Sequence, residues 1–200
     1  MLKRISRVFT LLAFVLVVTQ PVFAQWGIGA DYEIRDKDPK NGFGVRVDRQ
    51  IKLPLPLVHL GTRAHFSYFN EDNNFDINNP SGSFSYSREI KNYDFGIALL
   101  GGVSLGLIEP YVGLGLGSET VDLNYKDVSN LPSDQQDQYQ DGNKSKVFYN
   151  GFFGAELSPI PLLNPFIEYR FSHFNDPFKI NKETVKTSNG RLIFGVMLRF

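Results

Sequence analysis

The chain contains no cysteine in its 200 residues. A disulfide framework, a thiolate metal site and a cysteine nucleophile are therefore excluded. It has no excess of charge: Lys+Arg and Asp+Glu each number 21, so no global basic surface points to nucleic acid. After Ala24 it has no run of apolar residues long enough for a membrane-spanning helix. A mean hydropathy of −0.20 likewise excludes a helical membrane bundle. No glycine-rich phosphate loop, H-E-x-x-H or G-x-S-x-G motif occurs. What the chain does have is 14% aromatic residues, 18 glycines and only 21% charged residues, too aromatic and too weakly charged for a disordered chain. The length suits one domain preceded by a processing segment.

That segment is Met1 to Ala24. Lys3, Arg4 and Arg7 form a positive start, and Phe9 to Val18 form an apolar stretch broken only by Thr10. Val22-Phe23-Ala24 is a small-residue cleavage pattern. Together they read as a secretory signal peptide whose removal leaves Gln25 to Phe200. The apolar stretch is well short of the ~20 residues an anchoring helix would need.

The rest of the chain alternates with period two, the signature of strands. It is clearest at the end, where Leu192, Phe194, Val196, Leu198 and Phe200 share one face and Arg191, Ile193, Gly195, Met197 and Arg199 the other. Similar patterns predict eight strands in all, near residues 25–36, 42–53, 57–70, 84–104, 110–125, 145–158, 165–175 and 187–200. Two irregularities stand out. Arg49 has the parity of Phe43, Val45 and Val47, which places it outward near a strand end unless a bulge shifts the register. Beyond Leu116 the apolar parity passes to Val121, Leu123 and Tyr125, which suggests a bulge or an exit from the apolar layer.

The connections alternate too. Leu53 to Leu57, Leu105 to Pro110 and Ser158 to Pro165 are short and apolar or proline-rich. Asp36 to Asn41, Asn70 to Gly82, Lys126 to Lys144 and Asn175 to Thr187 are polar. Because the two kinds strictly alternate, an up-and-down sheet collects the tight turns at one end and the polar loops at the other. That is the layout of outer-membrane barrels, with long loops outside and short turns in the periplasm.

The faces have distinct chemistry. One carries Asp31, Glu33, Arg35, Arg46, Asp48, Arg63, Asp94, Glu156, Glu168, Arg170, Arg191 and Arg199, interspersed with glycines such as Gly44, Gly96 and Gly113. The other is large and apolar, and would overfill an eight-strand interior. Trp26, Tyr32, Phe43, Tyr68, Tyr93, Tyr149, Phe171 and Phe200 sit near strand ends on that face as candidates for interfacial girdles. A sheet spans lipid only if it is closed. The fold predicted is all-β: an eight-stranded, antiparallel, up-and-down transmembrane β-barrel. A soluble lipocalin-like barrel in the periplasm is the alternative.

The last ten residues, Arg191-Leu-Ile-Phe-Gly-Val-Met-Leu-Arg-Phe200, resemble the terminal strand of outer-membrane proteins. With the signal peptide and the strands, the mature chain from Trp26 to Phe200 resembles the small outer-membrane β-barrel family of the OmpA-transmembrane and OmpX kind, often described as porin-family barrels. The resemblance implies location in the outer membrane of a Gram-negative cell, contact with outer-membrane lipid, and a C-terminal Phe200 read by the barrel assembly machinery. It implies no catalytic motif and no cofactor. No peptidoglycan-binding domain is expected after the last strand.

The expected chemistry is therefore structural. Arg46, Asp48, Arg63, Asp94, Glu156, Glu168, Arg170, Arg191 and Arg199 are the candidate lumen charge network, in an interior just wide enough for side chains to fill. A closed lumen is expected, with a structural role or one exercised through the loops; a narrow path for ions or small solutes is the alternative. No catalytic, cofactor or metal residues are assigned, no nucleic acid is expected as partner, and nothing in the sequence specifies an extracellular loop partner. His59 and His65 share the lumen face but lie ~20 Å apart, too far to share a metal. Arg170 to Asn175 faintly resembles the outer-membrane lipid A deacylases. Asn175, however, stands where the nucleophilic serine belongs and Ser172 precedes His173, so an outer-leaflet lipid-modifying enzyme is the weaker alternative. Asp72, Asn74 and Asp76 have calcium-loop spacing, but Ile77 and Ser83 replace the required Gly and Glu, so a solvated turn is expected.

Overall fold

The computed structural model describes residues 24–52, 55, 57–79, 82–128, 136, 139–159, 162–173, 178–180, 183–185 and 190–200. The expected signal peptide, but for Ala24, lies outside them. Strands β1 (Ala24–Arg35), β2 (Asn41–Lys52), β3 (Val58–Asn79), β4 (Gly82–Val103), β5 (Ile108–Lys126), β6 (Gly142–Leu157) and β7 (Leu163–His173) follow in order. A small hairpin of β8 (Phe178–Ile180) and β9 (Glu183–Val185) precedes the last strand, β10 (Gly190–Arg199). Eight strands close into an antiparallel barrel in the order β1-β10-β7-β6-β5-β4-β3-β2. The seam pairs the chain's two ends, from Gly27 with Arg199 to Arg35 with Arg191. Among the described residues no helix is long and apolar enough to cross a membrane, which has no bearing on crossing by strands.

The alternation sorts as expected, and its polarity is the reverse of a water-soluble barrel. Leu114 is 73% exposed on the outside, whereas Arg46 and Glu168 are each 1% exposed inside. Leaving each such apolar side chain in water rather than burying it forgoes ~1.5–3 kcal/mol, so this wall requires lipid around it. Arg49 does point outward. Its register between Trp26 and Thr62 is regular, with no bulge, and its guanidinium lies 5.4 Å from the Trp26 ring centroid.

The structure corrects the reading of two expected loops and decides between the two readings of a third segment. The stretch 70–82 is not a polar loop: β3 and β4 stay paired up to Asn79 and Gly82. Asp72, Asn74 and Asp76 therefore lie along an extended strand, where alternate residues are ~6.6–7 Å apart and do not wrap one cation. The parity change after Leu116 is the exit from the apolar layer and not a bulge, because β5 remains in unbroken register with β4 and β6. Beyond the apolar band the barrel wall continues with the opposite polarity, apolar inward. Phe75, Tyr86, Tyr125 and Tyr139 stack there, with Phe75 and Tyr86 at 5.2 Å and Tyr86 and Tyr139 at 4.7 Å between centroids. Below them, Ile90, Val121 and Leu123 pack with Phe178, Ile180 and Val185 of the hairpin, which occupies part of the fourth expected loop. Asp72, Asn74 and Asp76 are exposed on the outside of this end, a surface suited to water rather than lipid, and its apolar side chains form a core inside. Of the third expected loop, Lys126 to Lys144, residues 129–135, 137 and 138 lie outside the described residues, and its last three positions belong to β6.

At the turn end, Gly106 has φ +77° and opens a two-residue turn between Leu105 and Ile108, a backbone geometry that glycine adopts without strain.

Candidate functional site

The lumen holds the only extensive polar assembly among the described residues, and closure of the barrel builds it from charges on strands far apart in sequence. Nearest the short turns, Arg199 of β10 donates from Nε and Nη2 to both oxygens of Glu156 on β6, and Asn164 Nδ2 adds a bond of 2.7 Å to Glu156 Oε1. Arg199 Nη2 also lies 3.8 Å from Asp48 Oδ2, which links this group to the next.

The central group is organised by Glu168 of β7. Its Oε1 accepts from Arg170 Nε at 3.2 Å and Nη2 at 2.7 Å. Its Oε2 accepts from Arg46 Nη1 at 3.0 Å, from Arg63 Nη1, and from the Tyr111 hydroxyl at 3.0 Å. Arg46 and Arg63 have a second carboxylate each. Arg46 Nε donates to Asp31 Oδ2 at 2.9 Å, and Arg63 makes a fork of two 2.8 Å bonds to Asp48. A fork of this kind fixes the guanidinium plane as well as its charge.

Nearest the loops, Asp94 of β4 accepts from Arg191 Nη1 and from Arg35 Nη2 at 3.3 Å. Arg191 Nη1 also donates to Glu33 at 2.9 Å, and Arg35 Nη1 to Glu119 at 3.2 Å. Ser67 and Asn92 donate to Glu33 and Glu119, and His65 Nε2 stands 3.5 Å from Asp94 Oδ1. The Phe69 ring supports both cations, with the Arg35 guanidinium 3.5 Å from its centroid. The nine expected network residues all lie inside, in two sets: Arg46, Asp48, Arg63, Glu156, Glu168, Arg170 and Arg199 are linked to one another, and Asp94 pairs with Arg191 apart from them. Asp31, Glu33 and Arg35 join them, as the parity of β1 indicates. Glu119 shares the lumen parity of β5, a signal that the change of apolar pattern after Leu116 obscures in the sequence.

Apolar side chains fill the rest of the lumen, and here the glycines have a specific use. A Cβ at Gly113 would strike the Phe152 ring and approach the Leu99 carbonyl to 2.7 Å. At Gly117 it would meet Phe148, and at Gly195 Phe166. Each aromatic ring lies over a glycine of the neighbouring strand. Phe152 and Phe166 also lie against the guanidiniums of Arg63 and Arg46, with 5.0 and 4.1 Å to the centroids. The interior therefore alternates salt bridges with rings rather than holding charge alone.

The remaining candidates are separated. Ser172 is buried on the lumen side, while His173 is exposed on the outer side and lies against Tyr149 at 4.9 Å between centroids. A base on the opposite face of a strand does not reach its neighbour's hydroxyl. Asn175 lies outside the described residues. Phe200 is 66% exposed at the turn end, where its backbone N–H and C=O both pair with Trp26 at 2.9 Å. Among the described residues no group of His, Asp or Glu is arranged to hold a metal ion.

The model of the outer membrane protein β-barrel domain family matches residues 10–200. The chain belongs to this family. Membership places this outer-membrane barrel in the compartment its name states and identifies its apolar wall as the lipid-facing surface. Solved structures share the fold. A major outer membrane protein from Thermus thermophilus aligns with a TM-score of 0.60 at 14% identity, over 88% of this chain and 99% of that one. Neisserial surface protein A aligns with a TM-score of 0.52 at 15% identity, over 88% and 97%. The comparison with curated proteins finds no match.

Proposed function

We propose that the protein is a non-enzymatic outer-membrane barrel with a lumen closed by its own side chains, acting structurally or through the surface it presents at its loop end. The observation that carries this reading is Glu168, fully buried inside the barrel and shared by Arg46, Arg63 and Arg170. Charges buried this deeply are tolerable only when paired, and the pairing ties β2, β3 and β7 across the lumen. The apolar cluster around Phe178 caps the same lumen at its outer end. In this reading Met1 to Ala24 is removed on export. The barrel assembly machinery inserts the chain by its last strand and Phe200. Outer-membrane lipid is the surrounding partner, and nucleic acid and cofactors have no part.

Planar-bilayer recording of the refolded protein tests the closed lumen: no steady conductance is expected. Large, steady openings would overturn it in favour of a narrow pore. Incubation with lipid A and phospholipids, followed by mass spectrometry of the lipids, should give no product. Turnover would overturn the non-enzymatic assignment.

A further inference from the structure

The lipid-facing wall is not uniformly smooth. Across β1 to β6 two neighbouring rungs of outward residues border a groove of about 780 Å³. Thr62 and Ala64 are small and form its floor, and Trp26, Val47, Ile97 and Leu99 stand along its sides. From Trp26 on β1 to Tyr149 on β6 it crosses five inter-strand steps, ~24 Å at ~4.8 Å each. The strands tilt ~35–45° in barrels of this class, so the groove climbs obliquely through roughly one leaflet of a ~30 Å hydrocarbon layer.

Arg49 stands at the turn-end margin of this groove. Among the described residues it is the only charged side chain on the outward face between Val58 at the turn end and Tyr68 at the loop end. It forms no ion pair among the described residues; its described contact is the Trp26 ring. A cation on an apolar wall, beside an indole and at the head of a groove of acyl-chain length, matches an anionic amphiphile.

We propose that this groove is a binding site for one anionic phospholipid of the periplasmic leaflet, with the phosphodiester on Arg49 and one acyl chain lying over Thr62 and Ala64. The choice of leaflet rests on the orientation of the outer-membrane reading above, with the short turns in the periplasm. Charge complementarity decides against a second copy of the chain. A two-fold contact over this patch would bury Arg49 from each copy without a counter-charge.

The test uses the full mature chain, refolded in non-ionic detergent and examined by native mass spectrometry. The probes are phosphatidylglycerol and phosphatidylethanolamine with identical acyl chains, and lipid A. One phosphatidylglycerol should be retained per barrel with about five-fold preference over phosphatidylethanolamine, the equivalent of the ~1 kcal/mol given by one basic residue at an anionic membrane surface. Arg49→Gln should abolish the preference while leaving retention of phosphatidylethanolamine in place. Ala64→Leu and, independently, Thr62→Leu should lower retention of both phospholipids by filling the floor. These are outward positions, and unboiled gel migration verifies that each variant is a folded barrel. The proposal is overturned if Arg49→Gln keeps the preference, if both floor variants retain lipid like the wild type, if lipid A binds better than phosphatidylglycerol, or if the lipid-free protein dimerises through this face. None of these outcomes depends on whether the lumen conducts, so the two proposals fail separately.

Discussion

Glu168 and Arg170 lie side by side on the lumen face of β7, yet removing one should cost far more than removing the other. Glu168→Ala takes away the carboxylate on which three guanidiniums converge. Arg46 would keep Asp31 and Arg63 would keep Asp48. Arg170 would keep no carboxylate within ion-pair distance among the described residues, and its side chain is only 1% exposed. An uncompensated buried charge of this kind costs ~3–5 kcal/mol. Arg170→Ala leaves Glu168 paired with Arg46 and Arg63 and bonded to Tyr111, so no carboxylate is stranded. What is lost is one ionic contact made through two bonds, ~1.5–3 kcal/mol for hydrogen bonding to a charged group. The asymmetry follows from the connectivity, since a hub leaves an orphan and a spoke does not. Equilibrium unfolding in urea, in detergent micelles, measures both variants by linear extrapolation. Trp26, the single tryptophan, reports the transition from the lipid-facing wall. An Arg170→Ala cost equal to or above that of Glu168→Ala would refute the hub. So would a Glu168→Ala cost below ~1 kcal/mol, the range of solvated surface pairs, because water would then be reaching the site.

Three further outcomes follow from the packing. The mature chain should refold in detergent or lipid and aggregate in plain buffer, as followed by light scattering; a soluble monomer with Phe66 and Phe194 protected from solvent would show the faces inverted. Gly113→Val should lower the refolded fraction seen as the fast-migrating band on unboiled gels, since its side chain meets the Phe152 ring, an overpacking worth ~1–3 kcal/mol; a wild-type yield would contradict the ring-over-glycine packing. Phe178→Ala removes a buried ring from the outer apolar cluster, worth ~3–5 kcal/mol to that local core. It should therefore speed limited proteolysis of the β8–β9 hairpin without creating conductance, because the charge groups beneath it remain; a steady current in this variant would make the hairpin, not the salt bridges, the seal.

The strands, their number in the barrel and the polarity of their faces are legible in the sequence because lipid and lumen impose opposite demands on successive residues. The C-terminal run Leu192 to Phe200 and the glycine-spaced leucines of β5 show this without any tertiary information. So does the alternation of short and polar connections, which alone sorts the ends of the barrel. Arg49 is legible too, since its parity places it on the apolar wall.

Tertiary structure decided what pairs with what. Arg191 and Glu33 are separated by 158 positions and meet because β10 closes onto β1. Alternation records which face a charge occupies, but its partner depends on strand order and stagger, which bring distant rungs to one level. The convergence of Arg46, Arg63 and Arg170 on Glu168 has no counterpart in local spacing for the same reason. The extension of β3 and β4 through Asn- and Asp-rich sequence likewise arises from pairing with each other, which overrides the low strand propensity of those residues. The switch to inward-facing Val121, Leu123 and Tyr125 reads from sequence as either a bulge or an exit from the apolar layer, and the continuous register decides for the exit. What changes is the solvent outside the wall, from lipid to water, and the apolar face turns inward where water begins.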